Sequence, residues 1–500
     1  MSAAPIKVPE ITSVEQARGV VTNLFNQLQR AQWRVAQLEQ QLYGPSSERK
    51  AQESTLSKEQ VLLSLFPAPA EAPATQEVVV APTEAPEPRP RRQFAIKALE
   101  TVTERFEPEE KVCPHCGQEK CEIGCEKSER FEYVPAKVVR HVIIRPKLAC
   151  KCGQAGVSIA PLPPSLVAQG SADSSLVAQV ILAKFADHLP LYRQQQIFAR
   201  LGVNFPKSTL GDWVTQGATW LEAIVREMKR QLLAGDYLQA DETPVRVMDP
   251  DVKGKTVKGY LWVMGLPGDN VVFEFHPGRG KAEAKKLLDG FKGYLQRDGY
   301  SAYSSLVNEP GQKLIPVGCW GHARRKFIDA EPDHPAHAPP FIDEIRKLYL
   351  VEAVAREQRL DPEQRKALRQ DKSKAVLDRL LPELEKAIAQ HLPESPLAKA
   401  AKYCVNEWPA LTRYLDEGRL EIDNNLTENA IRPSAIGKKN WLFIGHPEAG
   451  WRSAVIYSIV VSCRRRGLDP ALYLTDVLRR LPAIKQSQLA TLLPQNWKPA

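Results

Sequence analysis

Ten residues, 238–247, LQADETPVRV, decide how this chain is read. Their apolar and β-branched members favour a strand. Two adjacent carboxylates, Asp241 and Glu242, interrupt a region that otherwise reads as a buried sheet. Burying a carboxylate is costly unless something pairs with it. Alternation along a strand sends the two side chains to opposite faces, so the residues alone leave open which acid carries chemistry.

The surrounding pattern builds outward from that strand. YLQADETPVRV, GYLWVMGL and NVVFEFHP follow one another as strand-like runs, then a helical KAEAKKLLDGF, then GYLQRDGYSAY and KLIPVGCW. This order predicts a mixed α/β sheet over 236–334. Residues 335–415 turn charged and helical, as in PELEKAIAQHL, and 416–500 end in a helical tail, AVIYSIVVSCRRRGLDPALYLTDVLRR. Upstream, 161–235 reads as helices: SSLVAQVILAKFADH, then LYRQQQIFARL, a break at Gly202, and a third helix in PKSTLGDWVTQ with Ser208 or Thr209 as its cap. Residues 94–160 hold a cysteine cluster. Residues 67–93 form a Pro/Ala-rich linker that cannot build a core. In 1–66, apolar residues at Val14, Val21, Leu24, Leu28, Val35, Leu38 and Leu42 keep helical spacing, as a short coiled coil or as a helix packed on its own protein.

Composition narrows the class. With 500 residues, 43% of them hydrophobic, several cores fit. The 68 basic and 59 acidic residues leave a net charge of +9, which suits a polyanionic partner. No apolar run is long enough to span a membrane and the N-terminus lacks a secretory h-region, so the expectation is a cytoplasmic protein. Six of the nine cysteines fall between Cys113 and Cys152. In such a compartment that clustering favours metal over disulfides. CPHCG supplies Cys113 and Cys116, and CKCG supplies Cys150 and Cys152, four thiolates suited to tetrahedral structural Zn2+. Cys121, Cys125, His115 and His141 are alternative ligands.

Three further acids complete the chemistry-bearing set. Asp298 lies in LQRDGYSAY, and Asp423 and Glu428 lie in EIDNNLTENAIRP, with Glu428 on a helix capped by Asn424 or Asn425. Each alone has a plain reading: an Asp-Gly turn, an Asp-Asn-Asn cap, or an ion pair of Glu428 with Arg432. Converging, they repel one another and require a cation, and oxygen-only ligands select Mg2+ or Mn2+. Two such ions about 3.5–4 Å apart clamp an in-line phosphoryl displacement. The segment LYRQQQIFARLGVNFPKSTLGDWV reads equally as a helix-turn-helix or as a hairpin that only packs. In the first case Arg193, Arg200 and Lys207 meet DNA phosphates.

Taken together, LYGPSSERK, CPHCG, PLYRQQQIFARLGVNFPKSTLGDWV, ADETPVRV, RDGYSAY, GCWGHARRKF, GRLEIDNNLTENAIRP, WLFIGHPEAG and GLDPALYLTDVL resemble, in order and over nearly the whole chain, the insertion-sequence-66 family of transposases. The resemblance implies a multidomain α+β chain. Its DDE-type, ribonuclease-H-like catalytic core would follow an N-terminal helix, a zinc module and a helix-turn-helix region. By motif, Asp241 is the first acid, Asp298 the second and Glu428 the third, separated by 57 (298 − 241) and 130 (428 − 298) positions. The longer gap implies that 335–415 is a helical insertion. The implied chemistry is cleavage of double-stranded DNA at transposon ends and transfer of the 3′-hydroxyl into target DNA, with two Mg2+ or Mn2+ per active site. Implied partners are transposon-end and target DNA, a second copy of the chain or a larger synaptic assembly, and accessory proteins encoded by the same element. The implied setting is a bacterial cytoplasm, with the chain nucleoid-associated when bound to DNA. CKCG departs from the family's usual C-x2-C, and Asn429 stands where Arg is common. His322, Arg324 and Arg325 follow a strand near the implied site and are candidates for phosphate contact or for support of the acids, and Lys438, Lys439, Trp441 and Arg452, near the C-terminus, are candidates for contact with DNA; both sets also suit a plain basic surface. A catalytically inactive DNA-binding protein of the same ancestry, or a nuclease that cuts without joining, are the competing readings.

If the thiolates hold metal, elemental analysis of the purified chain will return one zinc per polypeptide. A folded, zinc-free protein would refute that reading.

Overall fold

The computed structural model describes residues 172–499 except 253, 308, 310 and 312, together with residue 115 and the segments 136–148, 158–161 and 165–167. Two units separate along the chain, residues 68–140 and the remainder, and every element named here belongs to the second. The expected coiled coil, the linker and the thiolates of Cys113, Cys116, Cys150 and Cys152 lie outside the described residues.

A five-stranded sheet is the frame. Its strands are β1 (Tyr237–Met248), β2 (Thr256–Gly265), β3 (Val271–His276), β4 (Gly293–Gln296) and β5 (Leu314–Val317), in the spatial order β3-β2-β1-β4-β5. The first three form an antiparallel meander, with Gln239 opposite Gly265 and Met248 opposite Thr256. On the other side β4 and β5 run parallel to β1. β4 accompanies β1 only from Tyr237 to Gln239, so β1 outruns its parallel neighbour. Pro244, which has no ladder N–H to give, sits in that unaccompanied stretch and faces a helix there.

Helices surround the sheet. On the β3 side are α1 (Ser174–Phe185), α2 (Leu191–Arg200) and α3 (Lys207–Leu233). The crossovers between β3 and β5 carry α4 (Lys281–Leu287) and α5 (Ser301–Val307), and α6 (Trp320–Ala330) follows β5. The segment expected to be helical contains α7 (Ala338–Glu357), α8 (Pro362–Leu368), a π-turn over Arg369–Ser373, α9 (Lys374–Gln390), α10 (Pro396–Asn406) and α11 (Trp408–Thr412). Then come α12 (Asn425–Trp441), α13 (Gly450–Arg465) and α14 (Pro470–Arg480). Among the described residues no helix is long and apolar enough to cross a membrane.

The expected caps differ from those observed. α3 begins at Lys207 behind Pro206 and no side chain caps it, so neither Ser208 nor Thr209 serves. Proline's fixed φ of −57° starts the helix one residue early and leaves both hydroxyls inside it. At α12, Asn424 holds the cap position but its amide makes no cap bond, and Asp423 Oδ1 instead accepts the Asn425 amide at 3.1 Å.

The free edge of the sheet is covered by a device no strand pattern reveals. Ser458 and Ser462, one turn apart on α13, accept the amides of Phe273 and Val271 at 2.8 and 3.0 Å. Ser462 also donates to the Val271 carbonyl. An edge strand is thereby closed to pairing with another chain.

The inserted helices share one apolar core with the sheet, through Tyr237, Val317, Trp320, Phe327, Phe341, Leu384 and Leu411. Inside it lies an ion cluster. Glu352, fully buried, receives Arg369 at 2.7 and 2.9 Å and Arg365 at 2.5 and 2.9 Å. Arg369 spends its remaining donors on the carbonyls of Tyr414, Glu417 and Leu420. Removing one partner of a buried ion pair strands the other. Glu352→Leu is therefore expected to lower stability by about 3–5 kcal/mol and Glu352→Gln by less, as read from chemical denaturation.

Candidate active site

Two amides meet where β1 and β4 run side by side, and the site grows from them. Gln239 and Gln296 are register partners. Gln239 Nε2 donates to Gln296 Oε1 at 2.7 Å, and the Tyr237 hydroxyl donates to the same oxygen at 2.5 Å. Gln296 Nε2 in turn reaches the carbonyls of Gly318 and Glu421 at 3.1 and 2.7 Å. Gln239 Nε2 also reaches the Asp423 carbonyl at 3.1 Å, and Thr427 Oγ1 donates to Gln239 Oε1 at 2.9 Å. Gln239, Gln296 and Thr427 are fully buried, and in so dry a setting unmatched polar atoms would be costly.

Each member stands beside an acid. Asp241 is two residues past Gln239, Asp298 two past Gln296, and Glu428 one past Thr427. The motif Leu-Gln-x-Asp occurs twice, at 238–241 and 295–298, on paired parallel strands. The shared register therefore delivers both aspartates to the same end of the sheet, and α12 brings Glu428 to it. The charges of Glu428 and Asp298 both act on Asp241, so the three sequence-predicted acids share one neighbourhood, though their oxygens do not all lie within 4.8 Å of one another.

Asp241 and Glu242 differ sharply in surroundings. Arg279 meets Glu242 Oε1 at 2.6 Å, and the Tyr303 hydroxyl donates to Oε2 at 3.0 Å. Arg279 is itself stacked 3.9 Å from the Tyr300 ring centre. Asp241 accepts only the Glu242 amide, at 2.8 Å, and no cationic side chain pairs with it among the described residues. Burial, then the charges of Glu242 and Glu428, push its carboxyl well above the ordinary range. Asp241, Asp298 and Glu428 offer only oxygen donors, the kind a hard divalent cation takes, although among the described residues the grouping whose possible ligand atoms all lie within 4.8 Å of one another is Cys319, His322 and Glu428.

Glu428 has its own attendants on α6. Arg325 Nη2 lies 3.1 Å from Oε2, and His322 Nδ1 lies 3.4 Å from Oε1, too poorly aligned for a hydrogen bond. Burial holds the His322 imidazole below its usual value although Glu428 pulls the other way. Asp298 Oδ1 accepts the Tyr300 amide at 3.1 Å. The glycine after it is required, since a Cβ on Gly299 would stand 2.5 Å from the Tyr403 ring.

The remaining basic candidates are spread out. Arg324 lies on α6 beside Arg325. Lys438 is engaged across the site, its ammonium on the Pro244 carbonyl at 3.1 Å, and Lys439 is exposed. Trp441 lies under Lys184, and Arg452 is half-buried. Arg193, Arg200 and Lys207 are exposed on the α2–α3 hairpin. The sequence reading missed Gln239, Gln296, Thr427 and Arg279. The repeated Leu-Gln-x-Asp was the available signal for the two glutamines, and nothing local marks Arg279.

Comparison with known proteins now has a site to refer to. The family model "Transposase IS66 family" matches residues 169–452, more than half of the chain. A "zinc-finger binding domain of transposase IS66" matches 110–153, and an "IS66 C-terminal element" matches 458–495. Uncharacterized protein y4jD of Sinorhizobium fredii is 35% identical over 81% of this chain and 82% of its own length. Uncharacterized protein y4qI of the same organism is 36% identical over 82% and 78%. Among solved structures, the Drosophila P element transposase strand transfer complex aligns with a TM-score of 0.30 at 11% identity, covering 61% of this chain and 94% of that one.

Gln296→Leu would leave the Tyr237 hydroxyl and the Gly318 and Glu421 carbonyls without their partner. We expect a loss of roughly 2–4 kcal/mol in thermal or chemical unfolding, larger than for Thr427→Val, which removes one bond.

Proposed function

The chain belongs to the IS66 transposase family, and from that premise we propose that it cuts DNA at transposon ends and joins the freed 3′-hydroxyl to target DNA. In this reading Asp241, Asp298 and Glu428 are the catalytic carboxylates and together hold divalent metal, Mg2+ or Mn2+. The strand order β3-β2-β1-β4-β5, antiparallel then parallel, supports a ribonuclease-H-like core, with 335–415 inserted between α6 and the helix of Glu428. One observation carries the proposal. Asp241, half-buried, feels the charges of Glu242, Glu428 and Asp298 with no cationic partner among the described residues, while its neighbour Glu242 has Arg279.

Bound metal would supply the charge that activates a water or 3′-hydroxyl and stabilises the leaving oxygen. The chain's own groups do the positioning. The Gln239–Gln296–Thr427 bonds fix the backbone on which the three acids stand. Arg325 holds the Glu428 carboxylate toward α6, with the His322 ring 3.4 Å away. Arg279 keeps Glu242 out of the cluster. Arg193, Arg200, Lys207 and Lys439 offer exposed charge for the phosphates of double-stranded DNA. Cys113, Cys116, Cys150 and Cys152 are proposed ligands of the structural zinc. Joining two ends calls for at least two copies of the chain, with accessory proteins of the same element as further partners.

The test is cleavage of a duplex carrying the DNA that flanks the gene, with Mg2+ or Mn2+. Asp298→Asn and Asp241→Asn should lose at least a hundredfold in rate while still binding the duplex. Glu242→Gln, whose amide oxygen can still accept from Arg279 while its NH2 donates to the Tyr303 oxygen instead of accepting from it, should cut within about tenfold of wild type. Wild-type turnover by Asp298→Asn would refute the assignment. A wild-type chain that binds ends and never cuts them would make it a DNA-binding protein alone.

A further inference from the structure

The α6 helix faces α7 of the insertion across a cleft of about 260 Å3, lined by Gly321, Arg324, Arg325, Ile328, Arg346, Tyr349 and Asn425. Three of those seven residues are arginines. The volume is below the roughly 300–1,000 Å3 that houses drug-sized ligands and suits one phosphodiester group. Planar guanidinium forks match phosphate oxygens in pairs. We propose that this cleft seats one backbone phosphate of the bound DNA, gripped jointly by Arg324 and Arg325 of α6 and Arg346 of the inserted helix α7.

The location supports that ligand over other anions. Arg325 is the same residue that lies 3.1 Å from Glu428, so the cleft opens one side chain away from the acidic cluster. Its wall is fixed from behind. The Tyr349 hydroxyl donates to Asp423 Oδ2 at 2.7 Å, and Asn425 Nδ2 donates to the same oxygen at 2.6 Å. Arg346 sits three residues before Tyr349, on the same face of α7. Two carboxylates near the cleft already have partners: Asp423 Oδ2 takes Tyr349 and Asn425, and Glu428 Oε2 takes Arg325. A phosphate there would tie the insertion to DNA lying across the catalytic end of the sheet, so the insertion would serve as a DNA clamp as well as a structural brace. The inference rests on the transposase reading.

The test uses the full chain and a duplex carrying its own flanking DNA, with affinity measured across salt concentrations. Arg346→Gln should bind roughly tenfold more weakly and lower the slope of log K against log salt by about one, and Arg346→Lys should recover much of both. Arg346 also has contacts within the chain, so melting of each variant is followed, and a second arm needs no mutation. Single methylphosphonate substitutions placed along the duplex should reveal one phosphate whose neutralisation weakens wild type but adds no further loss in Arg346→Gln. A duplex in which every neutralised phosphate costs both proteins equally would overturn the cleft assignment while leaving cleavage, and the transposase reading, intact. Stabilisation by inorganic phosphate that depends on Arg346, with DNA binding that does not, would assign the cleft to a free anion and overturn the DNA clamp. A wild-type chain that neither binds nor cuts the duplex would overturn both readings.

Discussion

The end of the sheet that carries Asp241 and Asp298 depends on the bond between two buried amides, Gln239 and Gln296. A one-residue slip between paired strands turns every side chain to the opposite face. A glutamine pair does not tolerate such a slip, because misplacing either amide strands donors and acceptors where no water reaches. The pair therefore fixes β1 against β4, and with them the positions of Asp241 and Asp298. Through Thr427 and the carbonyls of Glu421 and Asp423 it extends to the start of α12. Three acids scattered over nearly two hundred positions are thus indexed to one small polar cluster.

The third acid poses the harder problem, since the chain runs through the helices of 335–415 after α6 and meets the glutamine pair again only at Glu421 and Asp423. The insertion answers it by sharing a core with the sheet rather than standing apart. Arg365 binds Glu352 and Glu421 together, and Arg369 takes three carbonyls between Tyr414 and Leu420. Tyr349 holds Asp423, and Tyr403 covers Gly299 next to Asp298. The returning strand of chain is therefore guided along its length by side chains of the helices it has just left. A buried ion cluster of this kind contributes little net stability compared with well-packed apolar residues. Its value here is that few other paths for residues 414–424 satisfy so many donors.

Much of this architecture was legible in the sequence, for identifiable reasons. The strands and most helices follow local periodicity, and the acids stand out because a charge within a strand-like run is costly. The caps were misread because Pro206 and Asp423 took the roles that Ser208, Thr209 and the Asn424 side chain were expected to fill. The serines on α13 were invisible because a hydroxyl inside an apolar helix is locally unremarkable; only the position of β3 makes it a ladder partner. Arg279 was equally silent. It lies 37 positions from Glu242 in a loop, and nothing in GRGKAEA announces its partner. Contacts of this sort belong to the tertiary arrangement and have no local periodicity to betray them.

Asp241 and Glu242 show how the fold assigns two roles to one dipeptide. They share a strand, a neighbourhood and a sign of charge, and alternation alone separates them. Glu242 turns to a face where the α4–α5 crossover supplies a fixed guanidinium and a phenol. Had a guanidinium also met Asp241, the negative charge would be neutralised and the carboxylate oxygens filled, leaving no open coordination positions. A carboxylate left uncompensated in a half-buried site beside other carboxylates raises the energy of the metal-free chain. In the proposed reading that cost is what gives the site its affinity for a divalent ion, because the ion relieves a repulsion already present in the folded protein. In that reading Glu428 would also hold the metal, and Arg325, half-exposed at the rim beside it, would be free to turn outward, whereas an arginine beside Asp241 would compete with the metal.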